Sequence, residues 1–518
     1  MAPGAAGTDW EAVWRGDTSS VRPYASPALE VLTYEGAGRG VRARDAVPVG
    51  AVLLAEQAVA VAPEHDLAGR LCALQGDLDD TTRRRLALMC DGSDLAPVEQ
   101  PIALPSWPGA LGCGSTSGEE ITVARMRRIV DLNAYRLCSD VGEYAFRREE
   151  DLVQSDSERH SAYGVFPLGS LVNHSCAVNV SKVLLNDWVF LRAARDIAPG
   201  EELLQHYCDI RAPLGARQKE LQDLFGFACA CPRCHFERAL GRAGGEGLAA
   251  YQDLYACMLP GLNALHGPIQ VSHLEGAVAG AERAAAKSLR QVDRGALPVA
   301  SDEELTGWLA WPLVPALSQL AERLGLDGRF AESRTLWRKA EAAVRAVDAC
   351  SNVHVVVLAR WLLAEAQGGD EAHVAAALAE SRRVTRLAYG GGDEVWQRLV
   401  GFRLPSALHA LPEQSQELTF EWLPAGDAPG DALGGGEPGD ALGRPRLRAG
   451  VVKVSLPPAV DPEGVSLDAS ETRLVVRCPG AGALEVPCPF AADLDALRTR
   501  LSKRTRSLSV FLTEKRAA

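Results

Sequence analysis

The 518-residue chain contains no uninterrupted apolar run near the roughly 18–20 residues that a membrane-spanning helix requires. Its first twenty residues carry Asp9, Glu11 and Asp17 and no long apolar stretch, so no secretion signal is read there and a cytoplasmic protein is expected, with the nucleus as a second place. A basic excess is missing too, since the formal net charge is −13. A protein that grips nucleic acid through its phosphates needs a basic face, so direct nucleic-acid binding is not expected. Basic, Lys-bearing protein tails suit an acidic partner better. The 13 cysteines are odd in number and mostly scattered, which in such a chain reads as free thiols rather than a disulfide framework.

Hydrophobic residues make up 47% of the chain, enough for buried cores, and the length allows two to four domains. Residues 24–62 read as short strands, with glycines at 36, 38 and 40, a turn at Pro48-Val49-Gly50 and a buried strand at Ala51–Leu54. Residues 66–92 and 120–150 read as helical, with a Pro- and Gly-rich loop over Pro97–Ser117 between them. Strand character returns over 163–210, at Asp187–Leu191 above all, followed by a turn at Pro199-Gly200-Glu201. Beyond a junction at Gly241–Gly247, residues 248–400 read as paired helices: Leu317, Leu320, Ala321 and Leu324 form one stripe, and Leu336, Ala340, Ala343 and Val347 another. Residues 424–445 are low in complexity and read as a disordered loop, and residues 447–512 alternate like an antiparallel β structure.

The chemistry-bearing residues fall in one order: Asn173-His174-Ser175-Cys176, then Pro199–Leu203, Tyr207, and Cys229-x-Cys231-x-x-Cys234. Three thiols in a C-x-C-x-x-C run are one short of a tetrahedral zinc site. Here the chain resembles the SET-domain methyltransferases, and most closely the SET-and-MYND (SMYD) family, over roughly residues 24–236 and more weakly to about 405. The resemblance implies an S-adenosylmethionine-dependent protein lysine N-methyltransferase. It implies that Cys176 is the fourth ligand beside Cys229, Cys231 and Cys234, with the adjoining His235 as a weaker alternative. It implies donor contacts at Gly38, Arg39, Gly40, Asn133, Asn173, His174, Tyr207 and Phe227. It implies Tyr207 as the catalytic residue and a substrate channel with Phe166 and Phe225. Many relatives carry a second Tyr at the place of Phe225, so its missing hydroxyl leans towards products beyond monomethyl-lysine. Two departures stand out. The MYND zinc finger is absent, since its region holds only Cys72, Cys90 and Cys113 without a C-x-x-C pair, and Val178-Asn179 replaces the usual Pro-Asn.

Residues 248–405 resemble the tetratricopeptide-like helical domain of the SMYD C-terminus, through Gly328–Glu332, the His354 segment and Tyr389–Asp393. Residues 416–514 resemble a CS-type β-sandwich, closest to that of PIH-family co-chaperones, through Gly464–Val476, Leu484–Pro487, Phe490 and Lys503–Val510. The expected fold is therefore a multidomain α+β chain. A SET β-fold over residues 24–236 is split by a helical insert at about 63–160 and closed by a post-SET zinc site. A tetratricopeptide-like α-helical array follows over 248–405, then a CS-like antiparallel β-sandwich over 416–514. The expected partners are a protein substrate with a target Lys and, through the CS resemblance, heat-shock protein 90 or its co-chaperones. The rival function is a catalytically inactive SET-fold adaptor or co-chaperone, against which the retained Tyr207, Asn173, His174 and cysteines speak. Methylation of DNA or of a small molecule fits the acidic balance poorly.

Overall fold

The computed structural model describes residues 8–93, 97–108, 120–137, 162–242, 271–291, 302–369, 371–401 and 419–424, with residues 449–455, 465–470, 473–478, 482–487, 493, 497–502 and 507–513. The chain divides into two units, residues 1–370 with 380–409, and residues 410–518 with 371–379.

The first unit opens with helix α1 (Trp10–Trp14) and strands β1 (Tyr24–Ala25), β2 (Leu29–Tyr34), β3 (Gly38–Ala43), β4 (Val52–Gln57) and β5 (Val61–Ala62). Helices α2 (Glu64–Leu74) and α3 (Asp80–Ala87), strand β6 (Ile102–Ala103) and helix α4 (Val123–Asn133) follow, then β7 (Ala134–Arg136) and β8 (Tyr163–Val165). Next come β9 (Asn173–His174), β10 (Val180–Leu185), β11 (Trp188–Ala193), β12 (Leu204–Gln205), α5 (Leu214–Phe225) and α6 (Pro232–Arg242). The remaining helices are α7 (Val271–Gln291), α8 (Asp302–Ala310), α9 (Val314–Leu326), α10 (Phe330–Val347), α11 (Asn352–Ala366), α12 (Glu371–Tyr389), whose residues 371–379 are counted with the second unit, and α13 (Asp393–Leu399).

Small sheets, rather than one large one, frame the site. The largest has the antiparallel order β1-β4-β11-β10, and all six residues of β11 are buried, as the apolar Trp188–Leu191 run requires. The others are β3-β2-β6, β5-β8-β7 and the short parallel pair β12-β9. Their common core includes Val31, Val41, Leu53, Phe166, Val189 and Leu191. Helices α2 to α4 pack through Leu67, Leu71, Leu86, Met126 and Ile129 into a second core. The helical reading of 120–150 fails at Ala134: residues Ala134–Arg136 pair antiparallel with Tyr163–Val165. A long-range ladder overrides the local period there. Residues 138–161 lie outside the described ones, as do residues 243–270 and the low-complexity segment beyond Pro424.

Helices α9 and α10 pack antiparallel-fashion around the turn at Gly325–Gly328. The stripe Leu317, Leu320, Ala321 and Leu324 is buried as the spacing predicts. On α10 the buried face is centred on Trp337, with Ala340, Ala343, Val344 and Val347, while Leu336 is only half-buried at its border. The indole takes the centre because it removes the larger apolar area from water, and Leu336 packs at the edge of the same core. This core is continuous with Cys176, Cys229 and Cys234.

The second unit contains β13 (Thr419–Pro424), β14 (Ala449–Ser455), β15 (Ser466–Ser470), β16 (Arg473–Cys478), β17 (Gly482–Pro487), β18 (Arg498–Ser502) and β19 (Ser507–Thr513). They form two antiparallel sheets, β13-β14-β19-β18 and β15-β16-β17. Val452 and Val454 lie opposite Val510 and Leu508, and all four are buried, so the two-residue period sets the inner face.

Glu56 on β4 is buried, and its carboxylate accepts the backbone N–H groups of Leu168 (3.0 Å) and Gly169 (2.9 Å) at the turn that leads into β9. Burial outweighs those bonds and pushes this carboxyl up to about 7. The folded chain then holds the proton more tightly than the unfolded one. Stability falls as pH rises through the window from the ordinary carboxyl value to about 7, by about 3 kcal/mol at most. Urea unfolding between pH 5 and pH 8 should show that decline, and Glu56→Gln should flatten it; an unchanged slope in the variant would assign the proton elsewhere.

Candidate active site and thiol cluster

The site is built on the parallel pair β9-β12, in which Asn173 lies beside Leu204 and His174 beside Gln205. Two buried amides hold this pair. Asn179 donates to the Glu201 carboxylate (2.9 Å) and the Glu202 carbonyl (2.8 Å), and its Oδ1 accepts the Leu204 N–H (2.7 Å). Gln205 Nε2 lies 2.8 Å from the Tyr135 hydroxyl, 3.1 Å from the Gly169 carbonyl and 3.0 Å from the Val172 carbonyl.

Tyr207 follows at once. Its backbone N–H donates to His174 Nδ1 at 2.9 Å, and its hydroxyl donates to the Val172 carbonyl at 2.9 Å. An Nδ1 that accepts leaves the His174 proton on Nε2, which lies 3.4 Å from Cys176 Sγ. Burial holds the His174 imidazole down to about 4, so it is neutral near pH 7. Burial pushes the Tyr207 phenol well above its ordinary range, so this hydroxyl keeps its proton.

Tyr207 faces a cavity of about 1530 Å³. Gly38, Arg39, Asn133, Asn173, His174, Phe225 and Phe227 line it, which gathers most of the residues picked out in the sequence. Gly38 lies in the left-handed region (φ +71°), with open space where a Cβ would stand. Arg39 is buried; its guanidinium reaches the Leu88 carbonyl and lies 5.5 Å from the Trp107 ring centroid. Its Nε is buried with no hydrogen-bond partner among the described residues, a donor available to an anionic group of a ligand. Asn133 spends its amide on the Cys90 and Ile129 carbonyls, both at 2.7 Å. Asn173 donates to Glu202 at 2.9 Å. The Phe225 ring lies 5.1 Å from that of Tyr207, and the Phe227 ring 5.9 Å from that of His174. Gly226, left-handed at φ +75°, ends α5 and lets both phenylalanines turn inward.

Phe166 is not among the residues that line the cavity. It is fully buried in the β core and meets Tyr135 edge-on at 5.4 Å, and it is Tyr135 that lines the cavity. Sequence reasoning passed over Tyr135, Trp107, Lys182 and Gln205. Tyr135 directly follows the Asn133-Ala134 pair, which was the available signal; the others belong to no local motif.

The sulfurs of Cys176, Cys229, Cys231 and Cys234 all lie within 4.8 Å of one another, with Cys176 and Cys234 at 3.6 Å. They are the ligand set a tetrahedral thiolate site uses. Arg217, fully buried, approaches Cys234 Sγ at 3.8 Å and pairs with Glu237 at 2.7 Å. Arg233, also fully buried, pairs with the same Glu237 at 2.8 Å and reaches the Cys176 carbonyl at 3.3 Å. Donors around a thiolate set offset its negative charge and orient its ligands. His235 is exposed and outside the cluster, so it is no fifth candidate. Among the described residues of the 63–120 segment, Cys72 and Cys90 join no metal-ligating group.

Residues 38–208 match the family profile of the SET domain, and the chain carries that domain. Relatives among characterised proteins are lysine methyltransferases by name. The chain is 35% identical over 95 residues to human "Protein-lysine N-methyltransferase SMYD4", covering 18% of this chain and 12% of that protein. It is 45% identical over 71 residues to human "Histone-lysine N-methyltransferase SMYD3", covering 14% and 17%. It is 37% identical over 123 residues to "Histone-lysine N-methyltransferase set5" of Schizosaccharomyces pombe, covering 22% and 39%. The matches thus span well under half the length of each of these relatives.

Gly40 shows how tightly the site is closed. A Cβ there would stand 2.6 Å from Asn173 Nδ2 and 2.9 Å from Glu202 Oε1. Gly40→Ala should therefore push β3 and β9 apart and cost about 1–3 kcal/mol in urea unfolding. A variant as stable as the parent would show that the two segments yield freely.

Proposed function

We infer that the chain is an S-adenosylmethionine-dependent protein lysine N-methyltransferase. The observation that carries this reading is the placement of the Tyr207 hydroxyl, fixed at the Val172 carbonyl, in one cavity with Arg39, Asn173, His174 and Phe227. Bound S-adenosylmethionine would supply a methyl group on a sulfonium. The unpartnered Arg39 donor suits its carboxylate, the φ-positive Gly38 gives backbone access, and the Phe227 face suits its adenine. Tyr207 and the neighbouring carbonyls align the incoming amine, which is a proximity effect and needs no strong base. Burial in the cavity favours the uncharged form of a lysine whose ordinary pKa is about 10.4. Phe225 puts no hydroxyl beside Tyr207, which supports methylation beyond the first step.

The four thiols are read as a zinc site that pins the segment carrying Phe225 and Phe227 over the cavity. The helical region, which lends Trp311, Asp348 and Ser351 to the cavity wall, is read as a tetratricopeptide-like array on the protein-substrate side. The second unit is read as a CS-type sandwich that docks heat-shock protein 90 or an associated co-chaperone; its two antiparallel sheets with alternating buried residues support this. Cytoplasmic residence, with entry to the nucleus, completes the reading.

Calorimetry should show one S-adenosylmethionine per chain, and Tyr207→Phe should keep that binding while lowering turnover on lysate proteins by about 10²-fold or more. Donor binding without turnover by the parent chain would favour the adaptor. Elemental analysis should find one zinc per chain, and Cys234→Ser should lose it along with much of the resistance to urea. A metal-free, fully stable parent chain would contradict the zinc reading.

A further inference from the structure

The chain has only seven lysines, so a lysine inside this cavity is not a matter of abundance. Lys182, on β10, lines the same cavity as Tyr207. Its Nζ donates to the His206 carbonyl at 3.3 Å, and His206 is the residue directly before Tyr207. The same Nζ lies 4.8 Å from the centroid of the Tyr135 ring, whose hydroxyl is fixed by Gln205. No carboxylate among the described residues pairs with it, and burial alone pulls its amine down to about 8. The aromatic face and the backbone carbonyl hold the amine in place, while burial with no acid beside it favours the uncharged form that an acceptor lysine needs. A lysine kept for a structural ion pair would have a carboxylate beside it.

We propose that Lys182 is itself a methyl acceptor, a lysine of this chain lodged in its own acceptor channel and methylated in cis. This rests on the methyltransferase reading. The neutral Nζ uses its lone pair to form the N–C bond while the S–CH3 bond of the donor breaks. The electron pair stays on sulfur in S-adenosylhomocysteine, and the methylammonium that results carries one more proton than the neutral product, which it releases to solvent. A methylated Lys182 then changes the size and hydrogen bonding of the channel that a second, external lysine enters.

The full chain, incubated with trideuteromethyl-labelled S-adenosylmethionine and cut with chymotrypsin, should carry the label at residue 182. The rate per chain should not depend on protein concentration, since donor site and acceptor share one molecule. Lys182→Arg and Tyr207→Phe should show no label there. A binding measurement gives a second readout. The Lys182 ammonium beside a sulfonium disfavours the donor relative to the uncharged thioether product. Lys182→Met should therefore tighten S-adenosylmethionine against S-adenosylhomocysteine by threefold or more in calorimetry at pH 7. Donor binding with an unlabelled Lys182, or an unchanged donor-to-product affinity ratio in the Met variant, overturns the proposal. Absence of any donor binding by the parent chain overturns the methyltransferase reading instead, and this inference with it.

Discussion

The pairing of Asn173-His174 with Leu204-Gln205 is the constraint from which the site follows. It is only two residues long on each side, too short to hold by ladder bonds alone. Asn179 and Gln205, both 1% exposed, hold it by spending their amides on backbone groups across the junction. Each such bond is worth about 1 kcal/mol net, but breaking one strands a buried polar group at a cost of about 1–3 kcal/mol. The arrangement is thus specific as well as stable. With it in place, His174 accepts the Tyr207 N–H, and the phenol donates to the Val172 carbonyl.

A second constraint joins this pair to the rest of the chain. Cys176 lies two residues beyond β9, and its three thiol neighbours lie on the far side of α5. The segment between them carries Phe225, Gly226 and Phe227, so whatever holds the sulfurs together also sets the aromatic wall. The Arg217–Glu237–Arg233 arrangement is buried beside the sulfurs and would be costly if left without them. The thiols also belong to the core of Trp308, Trp311 and Leu317, and the Trp311 indole donates to the Ile210 carbonyl at 2.8 Å. The helical region is therefore part of the frame of the site rather than an appendage to it.

The cavity's electrostatics differ from those of the chain as a whole. An acidic average describes the solvated surface. Inside, burial dominates: it drives the His206 imidazole down to about 3, the His174 imidazole to about 4 and the Lys182 amine to about 8. A cavity that disfavours charge on cations of its own would do the same to an incoming ammonium group, which must lose its proton before it can act as a nucleophile.

By itself the sequence determined the local things. The two-residue alternation of Val452 and Val454, the apolar run of β11 and the helical stripe of α9 each follow from short-range periods that need no partner to be read. The Asn173–Cys176 and Cys229–Cys234 motifs were likewise legible through fixed spacing. Tertiary structure decided which surface each residue meets. Ala134–Arg136 became a strand because Tyr163–Val165 lay ready to pair with it, and Phe166 sank into the core while Tyr135 took the cavity wall. Trp337 took the centre of the helix interface with Leu336 at its border, and Lys182 was brought to the carbonyl of His206, the residue before Tyr207, which no window of sequence contains. The physical reason is the same throughout. Periodicity and spacing are encoded along the chain, whereas burial and hydrogen-bond partners are properties of segments that meet only after folding.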